Sequence, residues 1–158
     1  MLIRSFSKKY CIPGLRLGYL TASPIIIDRL RQIRQPWTIN ALAIEAGKYL
    51  LENDVQMIPD LKGYLQETIR LRQNLIAING LKVMKTDTNF MLVSIENSTA
   101  AELKHWLLDH YGILIRDASN IRGLDDNYFR VTAQTPEEDD QLVEALTEYT
   151  SHLIETSD

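Results

Sequence analysis

The sequence predicts a chain of mixed class, α/β with α+β. Three observations carry that prediction. Two short apolar runs, residues 2–7 and 15–22, flank a Pro13-Gly14 turn; helical periodicity dominates residues 24–79; and from Gly80 onward short strand-like runs alternate with amphipathic helices in the order β-β-α-β-β-α. The change of character places the expected division between residues 79 and 80, giving segments 1–79 and 80–158.

Each element follows from local signals. Residues 2–7 alternate loosely, and the second run is bounded by Pro13-Gly14 and Ser23-Pro24, so two short strands around a turn are expected. Pro24 follows Ser23 as a proline tolerated in a first helical turn, and Ile26, Ile27, Leu30 and Ile33 recur at helical spacing until Pro36 stops the run. A second helical period covers residues 39–52, with Trp37 expected to pack at its start. A third starts after Pro59 and continues through Leu61, Leu65, Ile69, Leu71, Leu75 and Ile78 to the Asn79-Gly80 stop. Strands are then expected over 81–84 and 90–95, and a helix capped by Ser98 or Thr99 should end at Gly112. Further strands over 113–116 and 128–133 enclose a loop of residues 117–127. Thr135-Pro136-Glu137-Glu138 combines an N-cap, a proline at the first helical position and acids in the first turn, and leads a last helix through Leu142, Leu146, Tyr149 and Leu153.

Composition excludes several function classes. With 158 residues, 45% apolar, 24% charged and only 12 Pro plus Gly, the chain is long enough to bury a real core. A net charge of −4 without any run of five like charges argues against nucleic acid as a partner. A single cysteine, Cys11, rules out an internal disulfide, and His105, His110 and His152 lack metal-ligand spacing. No apolar run approaches membrane-spanning length, and the first residues lack a signal-peptide pattern, so a cytoplasmic location with no membrane partner is expected.

The stretch "SFSKKYCIPGLRLGY", residues 5–19, concentrates groups with chemical potential. A lysine between a strand and a Gly turn serves either as a solvated charge or as an amine that condenses with a carbonyl. Ser5 and Ser7 add hydroxyl donors, and Arg16 adds a planar fork suited to phosphate. A phosphorylated aldehyde would satisfy all of them. Without further context, Lys8 and Lys9 read equally as surface charges and Arg16 as a salt-bridged strand residue.

The full pattern, Ser-x-Ser-Lys followed by Pro-Gly-Leu-Arg-Leu-Gly-Tyr with Arg16 eight residues after Lys8, resembles the lysine segment of fold type I enzymes that use pyridoxal 5'-phosphate (PLP). The resemblance implies that Lys8 holds the cofactor covalently and that Ser5, Ser7 and Arg16 bind its phosphate; Lys9 does not fit the intervals and reads as a surface charge. "QPWTINALAIEAG" at 35–47, "TNFMLV" at 88–93 and "GILIRDASNIRGLDDNYFRVT" at 112–132 extend the likeness over residues 2–146. Within the family they resemble the group of histidinol-phosphate aminotransferases and threonine-phosphate decarboxylases, closer to the decarboxylases of cobalamin biosynthesis, which make (R)-1-amino-2-propanol phosphate.

By the same resemblance, Arg130 pairs a substrate carboxylate, Arg116 lies near a substrate phosphate, and Asn89 contacts substrate or holds its loop. The expected architecture is the end of the PLP-binding large domain over 1–79, with linking helices, and the C-terminal small substrate domain over 80–158. Other family groups on the cofactor ring lie before the lysine segment in such enzymes. The chain is therefore expected to be a C-terminal fragment, inactive alone, of an enzyme that is a homodimer at full length and acts on a small phosphorylated amino-acid-like substrate. A related aminotransferase and a catalytically silent fragment are the alternatives.

Overall fold

In the computed structural model, residues 1–54 and 60–155 are described; Pro59, read as preceding the third helical period, lies outside them. The chain divides into two compact units, Met1–Asp60 and Leu61–Asp158.

In the first unit, strand β1 (Leu2–Ser5) runs antiparallel to β2 (Gly18–Thr21), with Leu2 opposite Thr21 and Ser5 opposite Gly18. The first strand is shorter than predicted. Ser5 turns the chain into a four-residue helix, α1 (Phe6–Lys9), by accepting the Ser7 N–H on its hydroxyl oxygen at 3.1 Å. The second strand starts late, because Pro13–Leu15 form a 3₁₀ turn and Arg16 follows in the left-handed region at φ 53°. Gly18 has a specific cause: a Cβ there would lie 2.8 Å from the Arg4 carbonyl oxygen across the strand pair.

Helices α2 (Pro24–Ile33) and α3 (Ala41–Glu52) complete this unit. Ser23 holds an extended N-cap conformation without a side-chain cap bond, whereas Asn40 Oδ1 accepts the Ala43 N–H at 2.8 Å. Among the described residues Phe6, Ala43 and Leu50 are its buried apolar side chains, with Tyr10 stacked on Phe6 and Tyr19 edge-on to it. Trp37 does not pack as expected. It occupies a left-handed turn at φ 62° and its side chain is 96% exposed.

The second unit holds α4 (Leu61–Ile76), β3 (Leu81–Val83), β4 (Phe90–Ile95), α5 (Ala100–Tyr111), β5 (Arg116–Asp117), β6 (Tyr128–Thr132) and α6 (Pro136–Glu155). Its sheet has the order β3-β4-β6-β5, antiparallel throughout. Alternation sends Met91, Val93, Ile95, Phe129 and Val131 into a core shared with Leu71, Leu75, Leu103, Leu107 and Leu146 from the helices. Leu71, Leu75 and Ile78 belong to this core, and the second compact unit accordingly starts at Leu61. Apolar burial, invisible as a local signal, assigns α4 to the second unit.

Helix termini follow the sequence signals. Thr99 and Glu102 form a capping box, and Gly112 closes α5 at φ 67°. Thr135 and Glu138 form a second box, with N–H to oxygen distances of 3.1 and 3.3 Å. The strand predicted over 113–116 is displaced toward the C-terminus. The Ile113 N–H still bonds the Leu107 carbonyl at the end of α5, which leaves only Arg116 and Asp117 to pair with β6.

Candidate active site

The first unit gathers Ser5, Ser7, Lys8 and Arg16 on one turn. Ser5 ends β1, Ser7 and Lys8 lie in α1, and α1 packs against the 3₁₀ turn that delivers Arg16. A backbone bond from the Phe6 N–H to the Leu17 carbonyl, 3.0 Å, ties the residue after Ser5 to the residue after Arg16. The Arg16 guanidinium donates through Nη1 to the Pro13 carbonyl at 2.8 Å, which fixes one edge of the fork and leaves its other N–H groups to donate. Left-handed φ in a non-glycine residue costs roughly 1 kcal/mol or more and persists only where surrounding contacts impose it.

The two adjacent lysines differ in environment. Lys9 Nζ pairs with Asp54 Oδ1 at 2.5 Å, and the Tyr10 hydroxyl bonds the same oxygen. These bonds raise the Lys9 pKa and lower that of Asp54. Lys8 is exposed and forms no ion pair among the described residues. A phosphate-bearing aldehyde fits this donor set: an unpaired primary amine, the Ser5 hydroxyl, whose own proton is free to donate while its oxygen caps α1, and an anchored guanidinium.

The second unit places Arg116 and Arg130 directly opposite each other on β5 and β6. Like charges in that position repel. The Arg130 guanidinium stands over the Phe90 ring, 5.1 Å from its centroid, and Arg116 Nη2 donates to Asn120 Oδ1 at 3.1 Å. Neither arginine forms an ion pair among the described residues, with Asp117, Asp125 or Asp126 or with any other acid. Both line a cavity of about 480 Å³ that also takes in Thr132, Gln134, Glu138 and Asp139.

Asn89 sits just before β4 and holds its loop. Its Nδ2 donates to the Tyr64 hydroxyl at 2.9 Å, that hydroxyl donates to the Ala133 carbonyl at 2.9 Å, and the Ala133 N–H returns to the Asn89 carbonyl at 3.1 Å. Tyr64, Phe90 and Asn120 were not legible as site residues. Tyr64 and Phe90 sit at helical and strand positions where an aromatic ordinarily serves packing, and Asn120 lies in a loop rich in turn formers. Asp139 is 1% exposed, its Oδ1 accepts the Gln134 N–H at 3.0 Å, and burial pushes its carboxyl up to about 7. Among the described residues no group of His, Cys, Asp and Glu is arranged to hold a metal ion, and no helix is long and apolar enough to cross a membrane.

Comparison with known proteins gives these clusters a context. Residues 1–146 match the family model "Aminotransferase class I and II". The fold superposes with a TM-score of 0.90 on the crystal structure of L-threonine-O-3-phosphate decarboxylase from Porphyromonas gingivalis, 39% identical, over 94% of this chain and 46% of that one. Histidinol-phosphate aminotransferase 1 of Carboxydothermus hydrogenoformans is 36% identical over 94% of this chain and 41% of its own. The adenosylcobalamin biosynthesis bifunctional protein CobDQ of Leptospira interrogans is 29% identical over 92% of this chain and 17% of its own. The chain thus spans less than half the length of these relatives.

Proposed function

The chain belongs to the aminotransferase class I and II family, and from that premise we propose that it is the C-terminal part of a PLP-dependent L-threonine O-3-phosphate decarboxylase of cobalamin biosynthesis. The observation that carries the reading is the gathering of Ser5, Ser7, Lys8 and Arg16 on one turn, in a fold that matches such a decarboxylase at a TM-score of 0.90. The relative with adenosylcobalamin biosynthesis in its name supports the pathway. A cytoplasmic homodimer is the form in which the whole enzyme acts.

In this reading Lys8 would hold the cofactor through Nζ, while the Ser5 and Ser7 hydroxyls and the Arg16 fork would hold its phosphate. Pyridoxal phosphate, when bound, takes up the electron pair released as a bond to the substrate Cα breaks. Arg130 binds the substrate carboxylate and Arg116 its phosphate, and together they set which Cα bond is presented for cleavage. Presenting the carboxylate for cleavage would give decarboxylation, whereas presenting the Cα–H would give amino transfer. Asn89 keeps its loop in register through Tyr64 and Ala133.

The second reading, a histidinol-phosphate aminotransferase, draws on the relative 36% identical to this chain. Two measurements separate the possibilities. The 158-residue chain, incubated with pyridoxal phosphate and reduced with borohydride, is expected to carry one adduct, on Lys8, that is lost in Lys8→Ala; scattered labelling would overturn the cofactor site in this chain and favour a silent fragment. The full-length protein is expected to release carbon dioxide from L-threonine O-3-phosphate, and transfer of an amino group to 2-oxoglutarate in its place would establish the aminotransferase.

A further inference from the structure

The arginine pair on β5 and β6 raises an electrostatic question. The two arginines are register partners on neighbouring strands, yet no acid among the described residues forms an ion pair with either. Asp117, next to Arg116, has turned its Oδ1 to the Ser119 N–H at 2.9 Å, and that bond holds its carboxyl below the usual range. Glu138, in the same cavity, accepts the Thr135 N–H in the capping box, and Asp139 accepts the Gln134 N–H. These acids accept bonds from backbone amides, and none of them forms an ion pair with either arginine among the described residues.

What holds the guanidinium groups is neutral. Phe90 supports Arg130 with a ring face, and Asn120 supports Arg116 with an amide oxygen. The loop that carries Asn120 is fixed at several points: Ala118 is buried and donates its N–H to the Tyr128 carbonyl at 2.9 Å, and the Ile121 N–H bonds the Ala118 carbonyl at 2.9 Å. An aspartate at position 120 would be the common surface solution for an arginine, and it would cancel the charge.

We propose that Asn120 is a positioning residue for Arg116, a neutral prop that aims the guanidinium into the cavity while leaving its full charge to a phosphate dianion. The inference deepens the proposed function and rests on its reading of Arg116 as an anion-binding group. Asn120 does not itself line the cavity; it acts through Arg116.

The test uses the 158-residue chain and inorganic phosphate as probe, followed by NMR of the arginine Nε–H signals with Arg116 identified by its loss in Arg116→Lys. Asn120→Ala removes the aim and is expected to weaken phosphate binding about threefold, whereas Asn120→Asp keeps the hydrogen bond, cancels the charge and is expected to weaken it by about tenfold or more. A purely loop-holding role gives the reverse order, with Asp close to wild type and Ala worse, and that order would overturn the proposal. If the alanine variant does not fold, the Asp variant decides alone: unchanged affinity overturns the proposal. An Arg116 signal that phosphate leaves unmoved in the wild type overturns the anion-binding reading and the prop with it, whereas equal binding by wild type and both variants overturns the prop only.

Discussion

Replacing Asp139 with asparagine should remove a pH dependence of stability that the wild type carries. Asp139 is buried at the start of α6, its Oδ1 accepts the Gln134 N–H, and its Oδ2 has no donor within the described structure. The charges around it are Glu67 and Arg70 on α4 and Glu138 and Asp140 on its own helix. Glu67 already accepts the Arg70 Nε–H on both oxygens, at 2.9 and 3.0 Å, and Arg70 also binds Asp140 at 2.6 Å. Burial and the facing Glu67 carboxylate therefore keep a proton on Asp139, raising it from 3.8 to about 7. A carboxyl raised in the folded state contributes stability that is fully present below its unfolded value and is lost as pH rises through about 7. Linkage puts the loss between about pH 5 and pH 8 at roughly 2–3 kcal/mol. In Asp139→Asn the new amide would mimic the protonated acid, donating toward Glu67 while accepting from Gln134. Urea unfolding of both proteins, followed by circular dichroism across that range, should show the stability difference between variant and wild type shift in the variant's favour by roughly 2–3 kcal/mol from about pH 5 to about pH 8. Parallel pH profiles would refute the reasoning, since histidine titrations are common to both chains and cancel in the difference.

Three further perturbations follow from the geometry. Gly18→Ala sets a Cβ 2.8 Å from the Arg4 carbonyl, forces β1 and β2 apart, and should abolish trapping of pyridoxal phosphate on Lys8 by borohydride; mass spectrometry of the reduced chain reads it. Arg16→Gly relieves left-handed strain at φ 53° yet removes the proposed phosphate ligand, so melting should shift up by about 1 kcal/mol equivalent while Lys8 labelling falls. Thr99→Ala breaks the α5 capping box and should cost about 1 kcal/mol in urea unfolding. It also frees Glu102, whose carboxyl is held low by the Thr99 bonds, so the stability that this acid gives above its unfolded value, and loses as pH falls through its folded one, should shrink.

Much of the second unit was legible because its signals are local. Thr99, Gly112 and Thr135 mark helix ends by chemistry that operates over three or four residues, and strand β4 shows both alternation and flanking turns. The boundary expected at 79/80 rests on a change in local periodicity, and the periodicity of α4 identifies a helix but not which core receives Leu71 and Leu75. In the first unit the sequence places Ser5 within a strand expected over 2–7, and the structure makes it both the last strand residue and the N-cap of α1, a double role that shows only in its bond from the Ser7 N–H. For the site, the spacing from Ser5 through Lys8 to Arg16 was visible in the chain. The pairing of Arg116 with Arg130 was not, because it depends on the register of β5 against β6, and Asn120 acquires meaning only once that register exists.

Among the described residues, the main cluster of buried apolar side chains runs from Leu71 to Tyr149, while the first unit encloses Phe6, Ala43 and Leu50. Cohesion around the Lys8 turn is correspondingly slight, and its amides should exchange with solvent water through frequent local opening long before those of β4 and β6. Any molecule that joins Ser5, Lys8 and Arg16 would then serve as structural filling as much as a reagent. Binding only the ordered turn at a hundred times its dissociation constant adds about 2.7 kcal/mol. A cofactor in that place would be a cross-brace, and its occupancy would be read as readily from the turn's protection against exchange as from catalysis.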